Sequence, residues 1–171
     1  MVIHLVRHAE AIERAPEIPE EQRYLTQRGR KRFRKVARSL RKSGIKPDVI
    51  LTSPLVRAVQ TAEILAQALK FKGDLVVSAL LAHGFLPEEL DELLQGFPEA
   101  RVIALVGHEP EFGEVARTLL GVASTCTLQK GATITFKKEA GKKGADFRQL
   151  VEGDATIIDS RSKALKHLNK G

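Results

Sequence analysis

Short apolar runs alternate along the chain with longer stretches in which apolar residues recur at helical spacing. The short runs predict β-strands, and the longer stretches predict amphipathic helices. Strands are predicted at residues 2–6, 48–52, 75–77, 101–106, 132–136 and 147–151. This alternation is typical of the α/β class, and we expect a three-layer α/β/α sandwich around a mostly parallel central sheet.

The last two predicted strands are connected differently from the others. The Lys/Gly-rich residues 137–144 separate them, and no helical pattern lies between them. A short polar connection joins antiparallel strands, so we expect an antiparallel hairpin at one edge of the sheet. The run at 101–106 is the most apolar and is expected near the centre of the sheet.

The first predicted helix has clear signals at both ends. Thr26 is a candidate N-cap, and Gly44 is expected to stop the helix. The apolar stripe of this helix is formed by Phe33, Val36, Ala37 and Leu40.

The second helix is expected to use Ser53 as N-cap and Pro54 as its first residue, and to run to about Leu69. Two further helices are predicted, one from Pro87 and one from about 111 to 120. Residues 10–22 read as an irregular acidic loop, either a lid or a solubilising segment, because two prolines interrupt them. The segment 78–86 is ambiguous, and the tail 161–171 is either a short helix or frayed. No repeat or linker divides the chain, so a single domain over 1–171 is expected.

Composition places the chain among folded proteins. Of 171 residues, 43% are apolar and 29% are charged, which is enough apolar material for a core and excludes an intrinsically disordered chain. No apolar run approaches the roughly 20 residues that cross a bilayer, and residues 1–8 lack a signal-peptide pattern. We therefore expect a cytoplasmic protein with no membrane partner. The single cysteine, Cys126, excludes an internal disulfide and is expected to be a small buried side chain.

The net charge of +7 is concentrated in one segment. Ten basic residues and no acidic residue lie between Arg28 and Lys46, so the rest of the chain carries a net charge of −3. On an amphipathic helix such a run is most often a solvated face. The segment argues against nucleic acid as a partner, because Phe33 is the one aromatic residue within it that could stack on a base, and Phe33 belongs to the apolar stripe. A docking face for an acidic protein surface is the alternative that remains.

Three candidate sites follow the carboxyl ends of predicted strands, where open α/β sheets bind their ligands. They are Arg7 with His8, Arg57 just inside the second helix, and His108. Together they predict a compact cationic pocket, which suits a phosphoryl group because arginine matches phosphate oxygens and stays charged.

The same residue types predict chemistry as well as binding. A neutral imidazole can attack phosphorus in line while fixed positive charge stabilises the equatorial oxygens in the transition state. One histidine would be the nucleophile and the other an electrostatic stabiliser. No cofactor or metal is required by this chemistry, and no metal-binding or P-loop motif is present in the sequence. Alone, His4 and His83 are interpreted as structural, and His167 as a surface residue.

Four motifs, in this order and spacing, resemble the histidine phosphatase (phosphoglycerate mutase-like) superfamily. They are Leu5–Glu10 (LVRHAE), Leu25–Gly29 (LTQRG), Thr52–Ala62 (TSPLVRAVQTA) and Val106–Pro110 (VGHEP). The short length, the RHAEA start and Lys130–Ala132 are similar to SixA-type phosphohistidine phosphatases. The resemblance covers roughly residues 1–136.

The resemblance implies a fold, an activity and a role for each matched residue. His8 would become phosphorylated, Arg7 and Arg57 would grip the phosphoryl oxygens, and His108 would complete the pocket. The implied partner is a phosphorylated protein, such as a histidine phosphotransfer domain, or a small phosphorylated molecule. A small-molecule phosphomonoesterase and a non-enzymatic phosphate-binding module remain the alternatives.

The sequence also departs from the superfamily pattern. Ala9 stands where a glycine often follows the nucleophile, and residues 153–156 replace the usual apolar finish. The segment 79–84, where many members place a carboxylic acid that donates a proton, contains no carboxylate. The remaining candidates for a general acid are Glu10, Glu88 and Glu89.

The missing acid bears on the substrate. An alkoxide needs a proton donor to leave, whereas an imidazole departs neutral from a phosphohistidine already protonated on its other nitrogen. The sequence therefore favours phosphohistidine over sugar phosphates.

Overall fold

Seven strands form one sheet in the computed structural model, which describes residues 1–169. They are β1 (Val2–Arg7), β2 (Val49–Thr52), β3 (Asp74–Val77), β4 (Val102–Gly107), β5 (Thr133–Lys137), β6 (Asp146–Val151) and β7 (Ile157–Ile158). The order across the sheet is β3-β2-β4-β1-β5-β6-β7. The first four in this order are parallel, and the last three are added antiparallel.

The helices cover both faces of the sheet. They are α1 (Gln27–Lys42), α2 (Val56–Leu69), α3 (Glu89–Gln95), α4 (Glu111–Leu120) and α5 (Arg161–Leu168). Alternate residues of each central strand enter opposite cores: Val6 of β1 packs with α1 and α2, whereas Leu5 packs with α3, α4 and α5. Burial on both faces explains why these strands are continuous apolar runs. The predicted three-layer sandwich is confirmed, with a parallel centre to the sheet and antiparallel strands added at one side.

The start of α1 matches its prediction. The Thr26 hydroxyl accepts a hydrogen bond from the Gly29 amide at 2.9 Å, which satisfies one of the free donors of the first turn. After α1, Gly44 has a φ of +79°, a left-handed conformation that glycine adopts without steric cost.

The predicted start of α2 is wrong. The helix begins at Val56 with Leu55 as its N-cap, so neither Ser53 nor Pro54 belongs to it. The Ser53 hydroxyl accepts from the Leu55 amide at 3.2 Å and bonds to the His108 ring, so it serves a turn and a tertiary contact instead.

The predicted hairpin is present as β5 and β6, but it does not lie at the edge of the sheet. The two-residue strand β7 pairs with β6 and forms the outer edge, which the sequence pattern did not reveal. The tail forms α5, which buries Ala164 and Leu168, while residues 170–171 of the predicted tail lie outside the described part. The ambiguous segment 78–86 contains a short 3₁₀ turn at Ala79–Leu81. No helix within residues 1–169 combines the length and apolar character that crossing a membrane requires.

Candidate active site

Three strand ends converge on one buried pocket. His8 follows β1, His108 follows β4, and Arg57 projects from the first turn of α2, which follows β2. The exposed fractions of these residues are 9% for His8 and 1% each for Arg57 and His108. The His8 and His108 rings have centroids 5.2 Å apart, and the Arg57 Nε lies 3.2 Å from the His8 Nε2. The structure therefore brings together the residues that the sequence predicted at separate strand ends.

The hydrogen bonds of His8 define which ring nitrogen is free to react. Its Nδ1 lies 2.7 Å from the carbonyl oxygen of Ala9, which can only accept, so Nδ1 carries the proton. The Nε2 then holds a lone pair, which accepts from the Arg57 Nε. Burial, followed by the charges of Arg57 and Arg7, lowers the pKa of His8 to about 3. His8 is therefore a neutral imidazole with a free Nε2, which is the form that can attack phosphorus.

His108 is held by the serine that follows β2. Its Nε2 lies 2.7 Å from the Ser53 Oγ, and its Nδ1 is buried with no hydrogen-bond partner among residues 1–169. Burial, followed by the neighbouring His8 and Arg57, lowers the pKa of His108, so this ring is also neutral.

Arg57 binds an anionic group within the protein itself. Its Nη2 contacts the Glu20 carboxylate at 2.9 Å, and its Nη1 donates to the Glu20 carbonyl oxygen at 2.8 Å. Glu20 lies in a 3₁₀ turn (Glu20–Gln22) of the acidic loop, so this part of the loop contacts the pocket. Burial opposes its ionisation, but hydrogen bonds from Arg23 and Arg14 bring the pKa of Glu20 below its usual value. The contact shows that the Arg57 guanidinium donates hydrogen bonds to anionic oxygens from this position.

Arg7 is positioned from the opposite side, by the segment that precedes β5. Its Nη1 donates to the Leu128 carbonyl oxygen, and the Leu128 amide donates to the Glu109 Oε1 at 3.2 Å. Burial raises the pKa of Glu109 to about 7, although the Leu128 amide and Arg7 oppose this effect. Sequence reasoning missed Glu109, which was read only as part of the His108 motif.

Two backbone contacts fix the segment around the nucleophile. The Thr61 hydroxyl accepts from the Ala9 amide at 3.1 Å and donates to the Arg57 carbonyl oxygen at 2.7 Å, which ties α2 to the residue after His8. Gly131, at a φ of +78°, donates its amide to the His8 carbonyl oxygen at 3.1 Å. The QTA and Lys-Gly-Ala motifs therefore position His8.

The carboxylates suggested as general acids form no hydrogen bond or ion pair with Arg57 or His8 within the described residues. Glu10 forms an ion pair with Arg28 at 2.9 Å, and the hydrogen bonds from Arg28 lower its pKa, so it stays ionised. Glu89 accepts from the Leu86 amide at 2.7 Å, and Glu88 is exposed at the start of α3.

The sequence predicted structural or surface roles for the other histidines and a buried position for the cysteine. His4 is buried and bonded to the Thr135 hydroxyl at 2.9 Å, His167 is exposed beside Glu152, and Cys126 is buried, as expected. His83, which was interpreted as structural, contacts the pocket, because its Nε2 lies 3.0 Å from the Arg57 Nη2. The sequence could not predict this contact, because His83 lies in a loop, where no periodic pattern indicates which way a side chain points.

Comparison with known proteins assigns the family. Residues 3–82 match the model of the histidine phosphatase superfamily (branch 1). An uncharacterised protein of Picosynechococcus is 39% identical over 121 residues, which are 70% of this chain and 73% of that protein. The chain belongs to the histidine phosphatase superfamily. This membership supports a hydrolase that acts on phosphorylated substrates.

Solved structures of phosphatases share the fold. The protein histidine phosphatase SixA complexed with tungstate matches with a TM-score of 0.80 at 20% identity, covering 90% of this chain and 97% of that one. The alpha-ribazole phosphatase from Shigella flexneri matches with a TM-score of 0.68 at 15% identity, covering 94% and 97%. The two names describe a protein phosphatase and a small-molecule phosphatase, so the likeness leaves the substrate class open.

Proposed function

We propose that this protein removes a phosphoryl group from phosphohistidine in a protein, through a covalent phosphohistidine on His8. The observation that carries the proposal is the His8 Nε2 lone pair, held beside Arg57 by the bond between Nδ1–H and the Ala9 carbonyl. A nucleophile needs its reactive atom unprotonated and fixed in direction, and this ring meets both requirements.

In the first step the His8 Nε2 forms a bond to phosphorus, and the leaving group departs with the electron pair of the bond that breaks. The equatorial oxygens are stabilised by Arg7, Arg57 and His108, which supply positive charge and a ring N–H to the transition state. The phosphoryl oxygens take over the Arg57 N–H groups that contact Glu20. In the second step a water oxygen bonds to phosphorus, and the bond from phosphorus to the His8 Nε2 breaks with its electron pair returning to that nitrogen. The water loses a proton, and inorganic phosphate is released. Fixed protein charge supplies the stabilisation, so neither step calls for a metal or cofactor.

The surroundings of Arg57 favour phosphohistidine as substrate. The carboxylate on Arg57 belongs to Glu20, whose lowered pKa keeps it ionised and makes it a poor proton donor. Glu109, whose pKa is raised to about 7, is partly protonated at neutral pH, but its Oε1 accepts from the Leu128 amide, and the Leu128 carbonyl oxygen accepts from Arg7. A leaving imidazole that is already protonated on its other nitrogen needs no donor, whereas an alkoxide does.

The basic face of α1 fits a protein substrate better than a small molecule. Apart from Arg28, no cation of this helix forms an ion pair within residues 1–169. Arg32 lines a cleft with Lys130 and with Ala9, the residue that follows the nucleophile in the chain. An acidic surface around a phosphohistidine, such as that of a histidine phosphotransfer domain, would be attracted to this face.

A substrate panel tests the proposal. Turnover of a phosphohistidine protein, a sugar phosphate and an alkyl phosphomonoester is compared by kcat/KM, with His8→Ala as the control. We expect the highest kcat/KM for the phosphohistidine protein and no turnover by the variant. A higher kcat/KM for the sugar phosphate would support the small-molecule phosphomonoesterase instead, and no turnover of any substrate would support a binding module.

A further inference from the structure

His83 lies at the mouth of the pocket, although the reaction described above assigns it no role. It comes from the loop after β3, between the buried side chains Leu81 and Phe85, and Phe85 packs against Phe112 of α4 with ring centroids 6.5 Å apart. The His83 side chain is 46% exposed, and its ring lies against the His108 ring at a centroid distance of 4.6 Å, tilted by 39°. The ring is therefore held at a fixed place and still reaches solvent.

The contacts of His83 define its tautomer. Its Nδ1 lies 3.4 Å from the Glu111 Oε1, which also accepts from the Gly84 amide at 2.9 Å, and the Glu111 side chain is only 11% exposed. A carboxylate accepts, so Nδ1 carries the proton. The His83 Nε2 faces the Arg57 Nη2 at 3.0 Å, and a guanidinium can only donate, so Nε2 holds a lone pair.

Two imidazole lone pairs therefore face the same guanidinium, that of Arg57. The Arg57 Nε donates to His8, and the Arg57 Nη2 donates to His83. Nε and Nη2 are bonded to the same carbon, so a single guanidinium lies between the nucleophilic nitrogen and the second lone pair. A phosphoryl group on His8 that displaces these contacts leaves the His83 Nε2 facing it.

The second step of the proposed reaction needs a proton acceptor. Water that attacks phosphorus loses a proton, while the His8 Nε2 is bonded to that phosphorus. The His108 Nε2 contacts Ser53, and burial lowers the pKa of this ring, which makes it a weak base. The Glu20 carboxylate is near, but the arginines that lower its pKa also make it a weak base.

We propose that His83 is the general base that accepts the proton of the water attacking phosphorylated His8, with Glu111 as its positioning residue. The inference rests on the proposed function. The water oxygen forms a bond to phosphorus, the bond from phosphorus to the His8 Nε2 breaks, and its electron pair returns to that nitrogen. The proton goes to the His83 Nε2. Glu111 stabilises the resulting imidazolium, which loses its proton to solvent through its exposed edge.

Single-turnover kinetics separate the two steps. The enzyme is phosphorylated with phosphoramidate, and the formation and decay of the phosphoenzyme are followed by quenching. In His83→Gln we expect formation to change by less than about threefold and decay to slow by about 100-fold or more, within the range of general base catalysis. We expect added imidazole to restore part of the decay rate in His83→Ala. The matched control is His167→Gln, because His167 is also a half-exposed histidine beside a glutamate, far along the chain in α5.

A second variant tests the positioning role. Glu111→Gln keeps an oxygen that can accept from Gly84 but removes the charge, so we expect slower decay with unchanged formation. A purely structural role would slow both steps together, and that result would overturn the inference. It is also overturned if His83→Gln decays at the wild-type rate, or if Glu20→Gln slows decay more than His83→Gln does. If the wild-type enzyme forms no phosphoenzyme, the proposed function fails together with this inference. If the phosphoenzyme forms normally but decays at the same rate in His83→Gln and in the wild type, only the role of His83 is refuted.

Discussion

Arg57 uses its whole guanidinium within the pocket. One nitrogen faces His8, and the other two contact Glu20 and His83. A lysine at this position keeps the charge but lacks the planar fork. We expect Arg57→Lys to lower kcat/KM by about 100-fold, with near-native secondary structure by circular dichroism. Activity within threefold of wild type would show that charge alone is sufficient.

Glu109 makes a prediction about stability against pH. Its pKa is raised to about 7, so the folded state keeps a proton that an unfolded glutamate loses near its ordinary value of 4.5. The free energy of unfolding therefore falls as pH rises from 4.5 to 7, by up to about 1.4 kcal/mol for each pH unit. In Glu109→Gln this contribution is absent.

Urea unfolding at pH 5 and pH 8 measures this effect. Between pH 5 and pH 8 we expect the free energy of unfolding of the wild-type protein to fall relative to that of Glu109→Gln. An identical change in both proteins would mean that Glu109 ionises normally in the fold.

At the scale of the element, the first turn of α1 supports the segment after the nucleophile. The Thr26 amide donates to the Glu10 carbonyl oxygen at 3.0 Å, and its hydroxyl caps the helix. We expect Thr26→Ala to reduce the free energy of unfolding by about 1 kcal/mol, the usual effect of losing an N-cap. Thr26→Ser retains the hydroxyl and serves as the control in the same denaturant titration. Equal stability of both variants would contradict the capping role.

The elements also show what a sequence can and cannot predict. Arg7, His8 and His108 were predictable as neighbours because the ends of adjacent parallel strands meet at one sheet edge. Glu20 and His83 reach the same pocket through loops, where no periodicity indicates direction. The start of α2 was misplaced because the Ser53 hydroxyl serves His108, a tertiary contact that local pattern does not contain. Strand β7 has only two residues, too few for an alternating pattern.

For the whole molecule, buried histidines make the fold sensitive to acid. Burial is the main cause that lowers the pKa of His4 to about 4 and of His8 to about 3, and the pKa of His108 is lowered as well. Their contribution to stability is present above pH 6.5 and is lost as pH falls towards the folded pKa values. As pH falls through that window, each of these histidines lowers the free energy of unfolding by up to about 1.4 kcal/mol per pH unit. Glu109 has the opposite effect, because its pKa is raised. We expect the unfolding midpoint in urea to fall between pH 7 and pH 5; a higher midpoint at pH 5 would contradict this balance.

The uneven charge of the molecule predicts how it meets its substrate. We expect the double variant Arg32→Glu, Lys35→Glu in α1 to lower kcat/KM for an acidic phosphohistidine protein by about tenfold or more and to weaken its salt dependence. Turnover of phosphoramidate should be unchanged. The control is Lys163→Glu, Lys166→Glu, which reverses two exposed charges on α5. Equal effects of the two double variants would show that net charge matters and the α1 face does not.

The central claim is that His8 becomes phosphorylated during turnover. The most direct measurement is to react the protein with radiolabelled phosphoramidate, quench in alkali, where phosphohistidine survives, and map the label by mass spectrometry. We predict acid-labile label on His8 in the wild-type protein and none in His8→Ala. Turnover without label on His8, or label that persists elsewhere in His8→Ala at the wild-type level, would contradict the account.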